Sequence, residues 1–529
     1  MDTKRLHSDS FSGEFHHQKK KSCRVTRLNI LVGIVLSVGL LLTALNVYEL
    51  QQMREEHMLH RDDHPITIVE GSMGRSPNNS PVVWILGKHM ETGYLTHVKT
   101  VFERLGFHVT NGEDDWDVLW AHDYPFITMK HIMTRLQPHQ RVNHFPGSGF
   151  ITNKGHLATM QLEAFPRCFR VPKDKEKLLE YAKSHPETMW VQKNNNHRGV
   201  RIKQLDELDF ESEGSFVQEF VAKPLLIDKR KFDIGVYVIL TNLNPLRVYI
   251  INDDALFRFC PEEYYPFDKN NVNKYVVHDS YTPMWKIPSL KSMYTDQKYS
   301  YKESFNRHMI NSGYNVTKIW SDIHETIQAV YLKKQAVLIQ AGTKYKSTRN
   351  FFELVRFDFV LDEDLKLFLM EVNMSPNLST NHFKGNKRLY QHVMYNVLRV
   401  SRVASLVHNH FHNSDNDADE MLASDKEITV FSEWCSASEC QGTTKCSVTK
   451  CRLCSHCLEL SLRTSLKDAY LEHYNKGGCM RIFPPTMDRS AALKWSPEID
   501  PFNLQNLTAR NRAMYMWFIG MCRKDQSFC

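Results

Sequence analysis

The chain has 529 residues, of which 42% are hydrophobic and 24% charged, and this composition excludes intrinsic disorder as its dominant state. Its 67 basic and 60 acidic residues give a formal net charge of +7, a balance that argues against a dedicated nucleic-acid-binding protein. A chain of this length is expected to fold as about three or four units of roughly 100 to 200 residues each.

An uncharged apolar segment, residues 28–48, lies near the N-terminus. At about 1.5 Å per helical residue it would span about 31 Å, which matches the roughly 30 Å hydrocarbon core of a bilayer. The segment is therefore predicted to be a transmembrane signal anchor. Residues 49–80, which turn to Gly, Ser, Asn and Pro towards their end, are predicted to form a stem.

The charges beside this segment predict its orientation. The basic residues directly before it, in the tail 1–27, are Lys19, Lys20, Lys21, Arg24 and Arg27, whereas both signs are mixed after it. By the positive-inside rule, the tail lies in the cytosol and the bulk of the chain in the lumen or outside, a single-pass type II arrangement. A cytosol-facing orientation is the alternative. Sequons that agree with a glycoprotein occur at Asn78, Asn315, Asn377 and Asn506.

The folded part is expected to begin at residue 81 with a small α/β unit. Apolar runs at 82–86, 107–110 and 117–121 predict strands, and a helical pattern lies at 94–105. Further strands are predicted at 189–192, 215–220, 232–240, 246–252 and 368–372, and helices at 173–184, 319–335 and 386–401. This mixture belongs to the α/β (α+β) class.

Two carboxylates and an amide lie on neighbouring predicted strands. Asp358 lies in one apolar run, Glu371 and Asn373 end the next, and an acidic turn at 362–364 separates the runs. Strand alternation puts Glu371 and Asn373 on one face, and antiparallel pairing would bring Asp358 beside them. Such oxygen ligands suit magnesium that bridges phosphates. The alternative is that they are strand-end charges on a solvated face.

Cationic side chains lie at other strand ends. Lys193 leaves a strand beside a loop of small polar residues, 194–199, where it could reach a nucleotide phosphate. Lys231 begins one strand and Arg258 ends another, and cations there would stabilise charge on a transferred phosphoryl group. The strand-like run 216–221 could supply backbone hydrogen bonds to a purine. Solvated surface charge and plain core are the alternatives for these segments.

Taken together, these segments resemble the tubulin tyrosine ligase-like family, ATP-grasp enzymes that join an amino acid to a protein carboxylate. The matching motifs are Asn143-His144-Phe145-Pro146-Gly147 with Lys154, Trp190-Val191-Gln192-Lys193, Lys231-Phe232-Asp233-Ile234, Val355-Arg356-Phe357-Asp358 and Glu371-Val372-Asn373-Met374-Ser375-Pro376. The resemblance covers residues 81–400 and implies an ATP-grasp fold in three parts, 81–140, 141–245 and 246–400.

The resemblance also implies roles for individual residues. Lys193 and Lys231 would contact ATP phosphates, with Asp233 near the ribose or phosphates and Arg258 facing the γ-phosphate or acyl-phosphate. The expected catalytic residues are Lys231, Arg258 and Glu371. The adenine would be held by Gln218, Glu219, Phe220 and Val221, and two magnesium ions would be held by Asp358, Glu371 and Asn373.

The chemistry implied is activation of a glutamate side chain by ATP to an acyl-phosphate, followed by attack of the amine of an incoming glutamate. Tubulin or another acidic protein would be the acceptor. Three positions depart from the family pattern: Gly235 replaces an arginine, Tyr281 an asparagine and Glu219 a lysine. They keep open the alternative of a membrane-tethered nucleotide-binding or luminal binding protein without ligase activity.

The C-terminal region is set apart by its cysteines. After a polar, acidic linker at 401–430, nine of the twelve cysteines fall within residues 435–529, which predicts a Cys-rich domain at 431–529. Outside the cytosol they would form disulfides, and the ninth would be free, intermolecular, or joined to Cys168 or Cys260. A zinc site at Cys451-x-x-Cys454-x-x-Cys457, with His456 inside it, is the alternative.

Overall fold

The computed structural model describes residues 80–113, 115–193, 201–407, 422–497 and 504–529. The predicted tail, anchor and stem up to residue 79, the sequon at Asn78, the loop 194–199 and most of the acidic linker lie outside these residues. Within the described ranges, no helix is both long enough and apolar enough to cross a bilayer.

The described residues form sixteen strands and fifteen α-helices. The strands are β1 (Val82–Leu86), β2 (His108–Thr110), β3 (Val118–Ala121), β4 (Arg141–Val142), β5 (Cys168–Val171), β6 (Trp190–Lys193), β7 (Ile202–Lys203), β8 (Ser215–Glu219), β9 (Leu226–Ile227), β10 (Arg230–Leu243), β11 (Leu246–Ile251), β12 (Leu256–Phe259), β13 (Thr282–Pro283), β14 (Glu353–Leu361), β15 (Leu367–Asn373) and β16 (Cys479–Phe483). The helices are α1 (Thr96–Arg104), α2 (Pro125–Thr128), α3 (Lys130–Met133), α4 (Gly149–Thr152), α5 (Lys154–Ala158), α6 (Lys175–Ser184), α7 (Pro288–Thr295), α8 (Tyr301–Asn311), α9 (Val316–Gly342), α10 (Lys387–Val400), α11 (Asp425–Ile428), α12 (Ser432–Ser436), α13 (Leu460–Asn475), α14 (Arg489–Lys494) and α15 (Ala509–Lys524).

A small parallel sheet opens the described chain, with strand order β2-β1-β3-β4. Helix α1 connects β1 to β2, and its Val98, Val101 and Phe102 are buried in the same core as the strands. Apolar residues three and four positions apart give the helix one buried face. The predicted order of strand, helix, strand and strand is confirmed.

The second sheet is antiparallel, with strand order β5-β8-β6-β7. Helix α6 packs against it through Leu178 and Ala182, which share a cluster with Trp190 and Val217. Two of the predicted site residues lie on this sheet: Lys193 ends β6, and Gln218 is the residue before the last in β8.

The third sheet is the largest, and β10 is its axis. One edge of β10 pairs with β12 and then β11, while the other edge pairs with β14. Strand β15 continues the sheet beyond β14, β16 continues it beyond β11, and all of these pairings are antiparallel. Every residue of β11 and β14 is buried, as is every residue of β10 after Arg230. Both faces of these strands are covered, which explains why their sequences are mostly apolar and why their charged residues are buried.

Helix α9 packs against β10, β15 and β16. Its buried residues include Ile319, Ile323 and Ile327, spaced as one face of a helix. The side chain of Asn315 accepts hydrogen bonds from two N–H groups of the first turn. This N-cap starts the helix three residues before the predicted boundary, because the capping residue and not the first apolar residue sets the helix end.

Disulfides cross-link the C-terminal region, as predicted. The pairs are Cys435–Cys454, Cys440–Cys451, Cys446–Cys457 and Cys522–Cys529. The ninth cysteine of the region, Cys479, is buried with a free thiol, and Cys168 and Cys260 are free as well. Because the sulfurs of Cys451, Cys454 and Cys457 are all paired, the alternative zinc site lacks its thiolates.

The C-terminal region also packs into the main body of the fold. Strand β16 pairs with β11, and Met514, Trp517 and Phe518 of α15 lie in the same core as β10 and β14. The cysteine distribution suggests a unit that stands apart from about residue 431. The structure differs because this region supplies an outer strand of the central sheet and part of its core.

Candidate active site

A small cavity of about 20 Å³ lies between the second and third sheets. The second sheet contributes Lys193, Phe216 and Gln218 to its lining, and β15 contributes Met370 and Glu371. Lys154, at the start of α5, also lines it. The cavity therefore brings predicted phosphate-binding and metal-binding residues to one place.

The predicted pair of acidic strands is confirmed. Asp358 on β14 lies directly opposite Glu371 on β15, and Arg356 lies opposite Asn373. The register shifts between Asp358 and Phe359, which marks a β-bulge at the site. Bulges of this kind re-aim side chains near functional sites.

Arg258 links two carboxylates. It donates Nε to Asp233 Oδ1 at 2.9 Å and Nη2 to Asp233 Oδ2 at 2.7 Å, a bidentate pair. The same Nη2 donates to Asp358 Oδ2 at 2.8 Å. Burial raises the pKa of Asp233 to about 6 even though Arg258 opposes that shift.

Asp358 is fully paired by its neighbours. Arg356 donates Nε to Oδ1 at 2.6 Å and Nη2 to Oδ2 at 2.8 Å, and Asn373 donates Nδ2 to Oδ2 at 2.9 Å. With the bond from Arg258, the carboxylate accepts four hydrogen bonds, three on Oδ2 and one on Oδ1. Burial alone would raise the pKa of Asp358, but Arg356 and Arg258 outweigh it and hold that pKa below its ordinary value.

A glycine makes room for Arg356. Gly235 on β10 pairs with Asp358 on β14, and a Cβ at position 235 would lie 2.9 Å from Arg356 Cδ and 3.2 Å from its Nε. Any other side chain at 235 would therefore displace Arg356. The arginine that the family pattern puts at 235 is absent, but β14 supplies a guanidinium directly beside this position.

Glu371 and Asn373 remain open towards the cavity. Glu371 Oε2 lies 3.3 Å from Lys154 Nζ, and these side chains are 31% and 23% exposed. Asn373 donates its amide Nδ2 to Asp358 and Glu371. Among the described residues, no hydrogen-bond donor contacts its Oδ1. Of the three residues predicted to hold magnesium, Glu371 and Asn373 have free oxygens and fit, whereas Asp358 is buried and both of its oxygens already accept from arginines.

Two lysines add positive charge to the site. Lys193 Nζ donates to Gln218 Oε1 at 2.8 Å, and burial, reinforced by Lys154, lowers the pKa of Lys193 to about 8. Lys231 Nζ lies 5.1 Å from the centre of the Phe220 ring, and burial lowers its pKa. In the part of the chain that the structure describes, neither lysine has a carboxylate within ion-pair distance. Both are therefore available to an anion.

Glu219, Phe220 and Val221 border a second, larger cavity of about 1430 Å³. The N–H groups of Glu219 and Phe220 donate to the carbonyls of Arg167 and Met189, each at 2.8 Å. Among the described residues, the Val221 N–H has no such partner. Two of the backbone donors predicted for a purine are therefore used within the protein.

Tyr281 lies in a buried hydrogen-bonded cluster. Asn386 donates Nδ2 to Tyr281 OH at 2.7 Å and to Tyr390 OH at 3.0 Å, and it accepts from Tyr301 OH at 2.7 Å. Burial raises the pKa of Tyr281, so the phenol stays neutral. Tyr281 is therefore a large, buried side chain at a position where the family pattern has a smaller amide.

Two site residues, Lys154 and Arg356, received no role from the sequence. Arg356 stands two positions before Asp358, so strand alternation could have put both on one face. Lys154 belongs to a recognised motif, but nothing in the spacing connects it with Glu371, because only the tertiary fold brings α5 to β15.

Comparison with known proteins gives consistent matches. A profile described as the Tubulin-tyrosine ligase family matches residues 131–410. Probable tubulin polyglutamylase ttll-15 of Caenorhabditis elegans is 37% identical over 481 residues, which cover 89% of this chain and 88% of that protein. Tubulin polyglutamylase TTLL6 of Mus musculus is 28% identical over 322 residues, covering 57% of this chain and 38% of that protein. Tubulin monoglutamylase TTLL4 of Mus musculus is 29% identical over 304 residues, covering 54% and 25%.

Proposed function

Because this chain belongs to the tubulin-tyrosine ligase family, we propose that it is an ATP-dependent ligase that adds glutamate to glutamate side chains of an acidic protein acceptor such as tubulin. The relatives named as polyglutamylases and monoglutamylases support the amino acid and the acceptor. The observation that carries the proposal is the cavity lined by both Lys193 and Glu371. Hydrogen bonds through Asn373 and Asp358 connect Glu371 to the pair of Arg258 and Asp233.

In the proposed reaction, the γ-phosphoryl group of ATP passes to the acceptor carboxylate, ADP leaves, and an acyl-phosphate forms. The amine of free glutamate then attacks the acyl carbon, an amide bond forms, the amine loses a proton and inorganic phosphate leaves. Because water would hydrolyse the acyl-phosphate, the reaction needs an enclosed site.

Cationic residues would perform most of the work on the phosphates. Lys193 and Lys231 would hold phosphate oxygens, and Arg258, fixed by Asp233, would face the transferred group without reorganisation. Glu371 and Asn373 would hold magnesium, which neutralises charge on the phosphates when bound. We further propose that the adenine lies near Phe220 and Val221, where one backbone N–H is available.

The ligase activity can be tested with the full-length chain. ATP, magnesium, glutamate and tubulin are incubated with the protein, and tubulin is examined by mass spectrometry for added glutamyl residues. Glu371→Gln serves as the inactive control. Unmodified tubulin from a protein that binds ATP normally would count against tubulin as the acceptor.

A second candidate is a nucleotide-binding protein without ligase activity. Two observations favour it: both oxygens of Asp358 already accept hydrogen bonds from arginines, and Tyr281 is held in a buried hydrogen-bonded cluster. The two candidates differ in one measurement. ADP release that requires free glutamate, and that disappears in Glu371→Gln, would exclude the second.

We also propose that residues 28–48 anchor the chain in a membrane with the catalytic region on the luminal or outer side. The disulfides support this placement, and so does the exposure of the sequons Asn315, Asn377 and Asn506. Since tubulin is cytosolic, the acceptor would then be a different acidic protein. If the cellular protein is insensitive to glycosidase and is cleaved by protease added to the cytosolic side, the catalytic region faces the cytosol and this placement is wrong.

A further inference from the structure

Asp358 is a buried carboxylate whose charge is already neutralised by two arginines. Both of its oxygens accept charge-assisted hydrogen bonds from Arg356, and Oδ2 also accepts from Arg258 and Asn373. The side chain is only 2% exposed. A metal ion would have to break several short, buried bonds before it could coordinate either oxygen.

Arg356 supplies the positive charge that a divalent cation would otherwise supply beside Asp358. Its planar guanidinium presents two parallel N–H donors to the two carboxylate oxygens, and it stays charged at any physiological pH. Magnesium, by contrast, loses its hydration water reluctantly, so it competes poorly for a buried, already neutralised carboxylate.

The backbone around Arg356 is shaped to receive it. Gly235 is the residue across from Asp358, and the space that its missing side chain leaves is filled by Arg356 Cδ and Nε. A Cβ there would also lie 3.3 Å from Asp358 Oδ1. The side chain of Arg356 therefore occupies the space above Gly235 on the sheet.

Oxygen atoms that could coordinate a metal ion lie beside this pair, on Glu371 in the cavity lining and on Asn373 next to it. Glu371 is partly exposed in the cavity, and the Asn373 carbonyl oxygen is left free because its nitrogen donates to Asp358. One carboxylate, one amide oxygen and nucleotide phosphates are sufficient for a single magnesium ion.

We propose that the Arg356 guanidinium permanently takes the place of a divalent cation at Asp358, so that the site binds one metal ion, at Glu371 and Asn373. This inference rests on the proposed function, because it concerns the metal that would accompany ATP. It makes Arg356 a positioning residue that fixes Asp358.

The experiment counts bound metal ions and does not need turnover. Mn²⁺ is titrated into the full-length chain with a non-hydrolysable ATP analogue, and free Mn²⁺ is measured by electron paramagnetic resonance. The expected counts are one ion for the natural chain, two for Arg356→Met and none for Glu371→Gln. Arg481→Met, which removes a buried arginine bound to backbone carbonyls elsewhere, is the matched control and should keep one ion.

Two ions on the natural chain would overturn the inference while leaving the proposed function intact. A single ion on a folded Arg356→Met variant would also overturn it. If that variant fails to fold, Gly235→Ala replaces it, because its Cβ would push Arg356 out of this space, and it too should bind two ions. Absence of both nucleotide and Mn²⁺ binding would overturn the inference and the proposed function together.

Discussion

Two buried charge networks lie on the central sheet. One is surrounded by protein, and the other continues to partly exposed residues beside a cavity. The site network consists of Asp233, Arg258, Arg356 and Asp358. The tail network consists of Thr241, Arg247, Tyr249 and Glu472. Both hold a carboxylate that accepts from an arginine in bidentate geometry, yet only the first lies beside a cavity.

The tail network is closed on every side by the protein. Arg247 donates to the two oxygens of Glu472 at 2.8 and 2.9 Å, and Tyr249 and Thr241 each donate at 3.0 Å. Because Glu472 lies on α13, these bonds join the C-terminal region to β10 and β11. The network has no exposed edge, so its role is structural.

The site network continues into exposed groups. Asp358 is bonded to Asn373, and Asn373 leads to Glu371 and Lys154, which line the cavity. The comparison teaches that the same ion-pair geometry serves stability or function according to whether one edge is open to a ligand.

The largest expected effect would come from breaking the tail network. Glu472→Gln removes the charge that neutralises buried Arg247, so the free energy of unfolding should fall by about 3 to 5 kcal/mol. Denaturant unfolding measures the change. The double variant Arg247→Met with Glu472→Leu should recover most of the loss. A loss below about 1 kcal/mol in Glu472→Gln would contradict the structural role.

At the exposed edge of the site network, Glu371→Gln should lower the ligase rate and leave the free energy of unfolding nearly unchanged. Ligase turnover should fall by about 10² to 10³-fold, equivalent to roughly 3 to 4 kcal/mol, because a group next to the reacting phosphates is lost. The free energy of unfolding should change by less than about 1 kcal/mol, since the pair with Lys154 is partly solvated. Glu363→Gln, which removes an exposed pair with Lys223, should change neither quantity.

Removing a disulfide tests whether covalent links or the tail network hold the C-terminal region. Cys440→Ser with Cys451→Ser should cost about 2 to 3 kcal/mol of unfolding free energy, because a loop of 11 residues is released. Strand β16 should stay paired, since the tail network is untouched. Thermal unfolding with and without reductant measures this, and Cys168→Ala is the control. Loss of all cooperative unfolding would show that the disulfides carry the region.

The smallest expected effect is a pH dependence of ATP binding, which we expect at the cavity beside the site network and not at the tail network. The pKa of Lys193 is lowered to about 8, so the lysine is charged below that pH and neutral above it. Affinity for ATP should therefore weaken by about threefold to tenfold between pH 7.5 and 9. Lys193→Arg should flatten the profile, because arginine remains protonated. An equal slope in both proteins would contradict the assignment to Lys193.

Much of the fold could be predicted from sequence, because apolar periodicity directly reports burial. The strands that carry Asp358 and Glu371 were predicted together with their antiparallel contact, since a short polar turn connects them. Their bounds shifted only slightly: β10 runs from Arg230 to Leu243, longer than predicted, because its flanking residues are also covered.

Other features depend on contacts between distant segments. Asp358 accepts a hydrogen bond from Arg258, which lies on a strand 100 residues earlier, and no local pattern reveals this contact. Disulfide connectivity was likewise unreadable, because spacing allows many pairings. The attachment of β16 to β11 was missed because a five-residue strand in a cysteine-rich stretch gives a weak periodic signal.

The pairing of β11 with β16 has a consequence for biosynthesis. Ile251 pairs with Cys479, 228 positions later, so one edge of the growing sheet stays bare while the ribosome makes the intervening residues. At about 5 to 20 residues per second, this interval lasts roughly 10 to 45 s. A bare edge of apolar strand invites pairing with other nascent chains. Chaperone assistance during translation should therefore determine the yield of this protein, and any version ending before β16 should aggregate.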